Sequence, residues 1–488
     1  MTSLENLSSW HSDWKSHKIV VYGLGLSGFS VADTLNELGS SLLVIADRID
    51  PEHADLLEVL GIRFEVGLDE TAAIAAVSKF EPDIAVVSPG IKPNNFLVEW
   101  FGQNGVEVIG DIELAWRVRD KAKSAEWILI TGTNGKTTTT QLVEAMLLAD
   151  GKKALACGNI GVPVLDAVRD PEGWDFLVVE VSSFQLHYLN RLAPKVSAIL
   201  NIAEDHIDWH GTFDEYKLAK GKVYEGTTGA IIYNAEDEAT KALAMNADVQ
   251  DENVLAVSFT RGMPADLQVG FVEEFLIDRA FYGYRAAELP ELAELADIEK
   301  IGVVTPHLLA NVAAAAAIAR GCGCSAEAIK RAIQTFKLDS HRIEFVAESR
   351  GVLWFDDSKA TNAHAADASL KSFESVVWIV GGLLKGVDIA PLVAENVSRL
   401  KAAVVIGKDR AEVLAALAKN APGLTIVEID DAKVSNVMAQ AVAEAAKLSS
   451  AGDVVLLAPA AASMDQFKDY ADRGKQFAQA VRGIVNEI

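Results

Sequence analysis

The chain has 488 residues, half of them hydrophobic, and its 44 Lys plus Arg stand against 69 Asp plus Glu for a net charge of −25. That length exceeds one ordinary core and predicts about three domains, while the acidic balance excludes nucleic acid and anionic membrane as partners outside a local basic pocket. Three cysteines (Cys157, Cys322, Cys324), a polar N-terminal stretch and no apolar run of bilayer length predict a soluble cytoplasmic protein without a disulfide framework.

The first predicted unit is a strand at 18–22, the turn Gly23-Leu24-Gly25-Leu26-Ser27-Gly28, a helix to Leu38 and a strand from Ser41 that ends at Asp47. This is a G-x-G-x-x-G turn in its expected strand-to-helix context, with the acid that follows it. Taken alone it predicts a dinucleotide such as NAD, and it does not separate that ligand from another diphosphate. A second βα pattern runs from Asp83 to Ser88-Pro89-Gly90. The charged, small-residue stretch 119–125 reads as a linker.

After the linker, the apolar run Trp127 to Ile130 meets Thr131-Gly132-Thr133-Asn134-Gly135-Lys136-Thr137-Thr138-Thr139. A strand that breaks into a glycine turn before a lysine and hydroxyls at a helix start cradles nucleotide phosphates, because backbone N–H groups and the helix dipole face the anion. Ile130 stands where a full P-loop carries glycine, so the loop is a shortened form. Alternating strands and helices at 176–180, 196–201 and 230–234 predict a mainly parallel sheet with helical cover. Glu180, at the end of one of these strands, reads as a metal-site acid. The next strand runs into Asn201-Ile202-Ala203-Glu204-Asp205-His206-Ile207-Asp208, a cluster of metal-competent side chains that points to metal or phosphate. The acidic stretch 286–300 reads as a solvated excursion, and the alanine-rich run 311–319 as a buried helix. Cys322-Gly-Cys324 offers too few ligands for zinc.

From Leu338 onward, strands at 376–380, 402–406 and 454–458 each end at Gly or Pro with helices between, which predicts another open α/β unit. The expected fold is therefore α/β in three domains in series: a Rossmann-like domain over 1–123, a P-loop ATPase-like domain with a mainly parallel sheet over 124–338, and a Rossmann-like domain over 339–488.

Seven segments in order carry a resemblance that covers nearly the whole chain. They are Thr131-Gly-Thr-Asn-Gly-Lys-Thr, Gly158-Asn159-Ile160-Gly161, Glu180-Val-Ser-Ser-Phe-Gln-Leu, Glu204-Asp-His-Ile-Asp, Ser340-His-Arg, Asp357-Ser-Lys-Ala-Thr-Asn and Ser463-Met-Asp-Gln-Phe-Lys. The set resembles the Mur ligases of peptidoglycan synthesis, and its Ser-Ser-Phe-Gln-Leu and Asp-Ser-Lys-Ala-Thr-Asn segments are similar to the branch that adds D-glutamate. The resemblance implies an ATP-dependent amide ligase that joins D-glutamate to UDP-N-acetylmuramoyl-L-alanine through an acyl phosphate, with two Mg²⁺ ions, acting as a monomer.

It also implies a distribution of roles. Lys136, Glu180, His206 and Lys220 would be catalytic, with Thr137, Glu180, His206 and Lys220 around metal and Lys220 carbamylated by CO₂ into an anionic ligand. ATP would meet Gly132, Thr133, Asn134, Gly135, Lys136, Thr137 and Thr138, and also Asn311, Arg342, Asp357 and Lys359, with His341 and Arg342 at the domain junction. The UDP substrate would meet Gly25, Leu26, Ser27, Asp47, Arg48, Ser88 and Gly90, then Asn159, Ser182 and Gln185. D-Glutamate would meet Thr361, Lys385, Ser463, Met464 and Tyr470.

The sequence departs from the family pattern at Leu308, where Asn is usual after His, at Leu383, where an acid is common, and at Ala458, where Ser often precedes Pro459. Three rivals remain at this point: a sister ligase with another amino-acid substrate such as a folylpolyglutamate synthase, a nicotinamide or nucleotide-sugar oxidoreductase, and a nonenzymatic P-loop switch.

Overall fold

The computed structural model describes residues 4–249, 253–281, 289–430 and 436–486. They contain three separate sheets. The first has five parallel strands in the spatial order Arg63–Val66, Ser41–Ala46, Lys18–Tyr22, Ile84–Val87, Glu107–Ile109. Its central strands are continuous apolar runs because helices cover both faces. Strand order reverses between Lys18–Tyr22 and Ile84–Val87, and the carboxyl ends of those two strands open a crevice at that point.

The second sheet has nine strands, ordered Glu291–Glu294, Phe275–Asp278, Gln268–Val272, Leu255–Phe259, Ala230–Asn234, Val196–Ile199, Glu126–Thr131, Phe176–Glu180, Ala154–Gly158. All pairings are parallel except the two at the Glu291–Glu294 edge. The alanine run lies in the helix Pro306–Gly321, and Ala313 to Ala319 are fully buried as the sequence predicts.

The acidic stretch 286–300 corrects the expectation of a solvated excursion. Its first three residues lie outside the described residues, but the rest contains the strand Glu291–Glu294 and the helix Leu295–Ile298. Leu292 and Ala293 are buried as the strand joins the sheet edge, and the buried Asp297 accepts from Lys300 Nζ at 3.0 Å and Gln334 Nε2 at 2.9 Å. The acids dominated the composition, while the apolar residues between them found a surface to cover.

The third sheet is ordered Glu344–Ser349, Val352–Asp356, Val454–Leu457, Val376–Val380, Leu400–Val405, Thr425–Glu428, antiparallel only in the first pair. Because the last strand inserts between Val352–Asp356 and Val376–Val380, three distant loops leave the sheet side by side. They are stitched by backbone bonds: Asp357 N to Leu457 O at 2.9 Å, Gly381 N to Pro459 O at 2.9 Å and Ala460 N to Ala360 O at 3.0 Å. Apolar clusters on both faces, including Trp378 and Leu456 on one and Ile379 and Phe477 on the other, fix the sheet.

The chain packs as two compact units: Met1–Ile202 with Asp214–Glu294 and Asn311–Ile333, and Ala203–Phe213 with Leu295–Ala310 and Gln334–Ile488. The first and second sheets therefore share a unit. Among the described residues, no helix is long and apolar enough to cross a membrane.

Candidate active site

In the first unit the strand Glu126–Thr131 runs into the loop that opens the helix Lys136–Ala149. Gly135 turns the chain with φ +81°, and a Cβ there would lie 2.2 Å from Asn311 Oδ1, so only glycine fits both the backbone and the packed Asn311. The neighbouring strand clamps the loop through Asn201, whose Oδ1 accepts from Asn134 N at 2.8 Å and whose Nδ2 donates to Asn134 O at 3.0 Å. Lys136 Nζ donates to Gly132 O and Thr133 O, both at 2.9 Å, which holds the ammonium against the loop that would receive phosphate. Thr133 Oγ1 lies 2.9 Å from the Tyr216 hydroxyl, and Thr137 and Thr138 in the first helical turn are buried.

Glu180 stands in register with Ile130 on the adjacent parallel strand, as the spacing predicts. It is 2% exposed; Asn159 Nδ2 donates to its Oε1 at 2.9 Å, and its Oε2 is buried with no hydrogen-bond partner among the described residues. An unpartnered buried carboxylate oxygen is costly. Its presence beside a phosphate-type loop fits a divalent cation, for which carboxylate oxygen is the preferred donor.

Lys220 lies in the last turn of the helix Phe213–Gly221 and is 2% exposed, with Nζ donating to Gly132 O at 2.9 Å and Thr131 Oγ1 at 3.3 Å and lying 4.9 Å from the Tyr216 ring centroid. The flanking lysines differ: Lys217 pairs with Asp214 at 2.6 Å, and Lys222 donates to His187 O at 2.8 Å. Thr137, Glu180 and Lys220 thus border one loop in the first unit. His206 belongs to the second unit. There its backbone is left-handed at φ +55°, and its N–H donates to Asp205 Oδ1 at 2.9 Å.

The first sheet gathers the other anticipated residues of its domain. Gly28 fits because a Cβ would fall 2.1 Å from Gly23 O, while Ser88 Oγ donates to that same carbonyl at 3.0 Å. Gly25 caps the helix Leu26–Glu37, which leaves Leu26 64% exposed at its start beside Ser27. Asp47 and Arg48 follow the neighbouring strand and are exposed, and Gly90 follows Ser88. Ser182 and Gln185 form a capping box on the helix Ser183–His187.

In the second unit, the stitched loops bring together Asp357, Lys359, Thr361, Lys385 and Ser463. Burial pushes the Asp357 carboxyl up to about 6 despite a hydrogen bond from Ser369. Lys359 Nζ lies 3.5 Å from Asp339 and 5.3 Å from the Tyr470 ring centroid. Asp205 joins the His206 segment to this group, with Lys385 Nζ 3.6 Å from its Oδ1 and Asn362 Nδ2 3.5 Å from its Oδ2. Ser463 is buried, whereas Met464 is 73% exposed. His341 Nδ1 lies 2.6 Å from Asp356 Oδ2, a bond that raises the imidazole above its ordinary range, and Arg342 follows it.

The structure shows how each residue that departs from the family pattern is held. Leu383 makes two backbone bonds with Ala462, both 2.9 Å, so the Gly381–Lys385 loop is held beside Ser463 without its side chain. Leu308 is buried, and its N–H donates to Thr305 Oγ1 at 3.1 Å. Ala458 is buried, and its carbonyl accepts from Trp378 Nε1 at 2.7 Å.

Two residues that frame these groups escaped the sequence. Arg473 is fully buried, donating to Ser358 Oγ at 2.9 Å, Ser358 O at 2.8 Å and Ala461 O at 3.1 Å, so it ties the Asp357–Asn362 loop to the segment before Ser463. Asp111 is buried and accepts from Gln185 Nε2 at 3.0 Å. In sequence the first is one arginine on an amphipathic helix and the second an ordinary helix-opening acid.

Family comparison matches 17–110 to "Mur ligase MurD-like, N-terminal domain", 130–319 to "Mur ligase middle domain" and 341–461 to "Mur ligase, glutamate ligase domain". A protein of Leifsonia xyli subsp. xyli named UDP-N-acetylmuramoylalanine--D-glutamate ligase is 50% identical over 490 aligned residues, covering 98% of this chain and 95% of its own. One of the same name from Streptomyces avermitilis is 45% identical, covering 97% and 99%. Among solved structures, a pseudomurein peptide ligase type C from Methanothermus fervidus superposes with TM-score 0.57 at 17% identity, covering 96% of this chain and 100% of its own. A UDP-N-acetylmuramate-alanine ligase from Thermotoga maritima gives TM-score 0.55 at 17% identity with 96% and 100% coverage. The ordered motifs, the three sheets and relatives up to half identical along nearly the whole length agree, and the chain belongs to the Mur ligase family.

Proposed function

We infer that this chain is an ATP-dependent ligase that joins D-glutamate to UDP-N-acetylmuramoyl-L-alanine. The observation that carries the chemistry is the buried, unpartnered Glu180 Oε2 in register with the strand that feeds the phosphate loop. The substrate assignment is supported by relatives 40–50% identical that carry the name of that activity.

In this reading the alanyl carboxylate attacks the γ-phosphorus of ATP and ADP leaves, giving an acyl phosphate. The amino group of D-glutamate then attacks the acyl carbon, phosphate departs with the bonding pair, and the amine proton passes to solvent. Two anions must approach each other, so the site must supply positive charge and fixed donors. Lys136 and the N–H groups of 132–138 hold the ATP phosphates, with Asn311, Arg342, Asp357 and Lys359 as further nucleotide contacts. Thr137, Glu180, His206 and a carbamylated Lys220 would hold two Mg²⁺ ions, which neutralise phosphate oxygens when bound.

Gly25, Leu26, Ser27, Asp47, Arg48, Ser88 and Gly90 take the UDP end of the substrate, and Asn159, Ser182 and Gln185 its other end. Thr361, Lys385, Ser463, Met464 and Tyr470 take D-glutamate. The reading divides the chain at 123/124 and 338/339 and includes a cytoplasmic monomer. Phosphate release should require both UDP-N-acetylmuramoyl-L-alanine and D-glutamate. Equal release with L-alanine or a diamino acid in place of D-glutamate would overturn the substrate assignment.

A further inference from the structure

The helix Asp111–Arg117 leaves the last strand of the first sheet and docks on the second domain of the same unit. Glu113 Oε2 accepts from Asn190 N at 3.0 Å and Arg191 N at 2.9 Å, and Tyr188 Oη donates to Ile91 O at 2.9 Å. Asp111 is the helix's first residue and 5% exposed, and among the described residues no charged partner lies against its carboxylate.

The two carboxylate oxygens face different surroundings. Oδ2 accepts from Gln185 Nε2 at 3.0 Å. At the other end of that amide, Gln185 Oε1 accepts from Ser182 N at 3.0 Å and Ser182 Oγ at 3.2 Å. An amide has a donor end and an acceptor end, so an acceptor on one side and donors on the other admit only one orientation. Asp111 and the Ser182 N–H therefore together fix which way Gln185 points. Oδ1 is buried without a hydrogen-bond partner among the described residues. Asp111 also lines a narrow space with Ser27, Gly28 and Ser88 that has no room for water. Burial raises the carboxyl above its ordinary range, and Gln185, the Ile112 backbone and the Ser27 hydroxyl act against that rise.

We propose that Asp111 is a positioning residue that aligns the two ends of the UDP-substrate site, holding the Gln185 amide on one side and abutting the Ser27 glycine turn on the other. This rests on the assignment above of Ser27 to the UDP end and of Ser182 and Gln185 to the opposite end. A fixed carboxyl between them would set the spacing that one long substrate must bridge. It would not touch ATP or D-glutamate.

The test is steady-state kinetics of the full chain with each substrate varied in turn. Asp111→Ala should raise KM for UDP-N-acetylmuramoyl-L-alanine by about tenfold or more, the loss of one buried charge-assisted hydrogen bond. KM for ATP and for D-glutamate should stay within about twofold. Asp111→Asn, which still presents an acceptor to Gln185, should recover most of the loss. If the alanine variant does not fold, Asp111→Leu, which fills the same space and removes the acceptor from Gln185, should give the same selective rise.

Equal changes in all three KM values, or an unchanged KM for the UDP substrate, would overturn the proposal. Calorimetric titration of the unmodified protein with the UDP substrate alone separates the two readings. Binding that is lost in Ser27→Ala but kept in Asp111→Ala sinks the Asp111 role only, whereas no binding to the unmodified protein sinks the substrate assignment.

Discussion

Lys220 Nζ donates to the Gly132 carbonyl across 2.9 Å, so a lysine 88 positions away in sequence lies against the loop that would bind phosphate. A buried ammonium at this place would repel a divalent cation, and a carbamate would attract one.

Lys220→Ala should abolish measurable phosphate release, and short carboxylic acids should restore part of it by supplying the missing anion. Lys217→Ala removes the exposed ion pair with Asp214, which is worth about 0–1 kcal/mol, and should leave the rate near that of the parent. An unchanged rate in Lys220→Ala would remove the residue from the mechanism.

Glu180→Gln keeps the shape of the side chain and neutralises the oxygen that lacks a partner. Its Mg²⁺ requirement should shift upward by about 10-fold or more, since even the groups behind a metal ligand cost that much when changed. Without metal, the variant should resist urea at least as well as the parent because an uncompensated buried charge has gone. A titration of activity against Mg²⁺, paired with urea unfolding under chelation, reads both effects.

Asp357 gives a pH prediction. Its carboxyl is raised from 3.8 to about 6, so the folded form holds a proton that the unfolded chain has released. Stability from that bound proton is fully present below pH 3.8 and is lost as pH rises through about 6. The total is of the order of 3 kcal/mol. Asp357→Asn should therefore be more stable than the parent above that window and equal to it below, with ligase activity lost. Chemical unfolding at a series of pH values checks the sign; a variant less stable at neutral pH would contradict it.

Arg473 is pushed down to about 10 by burial yet remains a cation at neutral pH, bonded to the neutral oxygens of Ser358 and Ala461. Arg473→Met should cost roughly 2–4 kcal/mol by leaving those buried acceptors unpaired. It should also raise KM for D-glutamate more than KM for the UDP substrate, because the loops carrying Thr361 and Ser463 lose their tie. Equal effects on both KM values would mean that the arginine only stabilises the fold.

The phosphate loop, the glycine turn and the parallel sheets were legible in the chain because each rests on residues close in sequence. Gly135, Lys136 and Thr137 shape one turn, and strand periodicity put Glu180 on a neighbouring strand, where the register confirms it. The acidic stretch before Lys300 misled for the converse reason: composition spoke for solvent, while Leu292 and Ala293 were claimed by a sheet edge.

What the sequence alone determined was what local backbone geometry must shape: a glycine turn of the phosphate-binding type and which strands end in acids. The resemblance pointed to Lys220 among three similar lysines, but tertiary structure alone supplied the physical reason for it and showed which unremarkable residues frame that loop. Lys217, Lys220 and Lys222 share one composition and nearly one helix, but only burial against Thr131 and Gly132 distinguishes Lys220. Asp111 finds Gln185 74 positions later, and Arg473 finds Ser358 115 positions earlier. Such contacts follow from chain crossings between sheets and loops, and no periodicity within a short window encodes them.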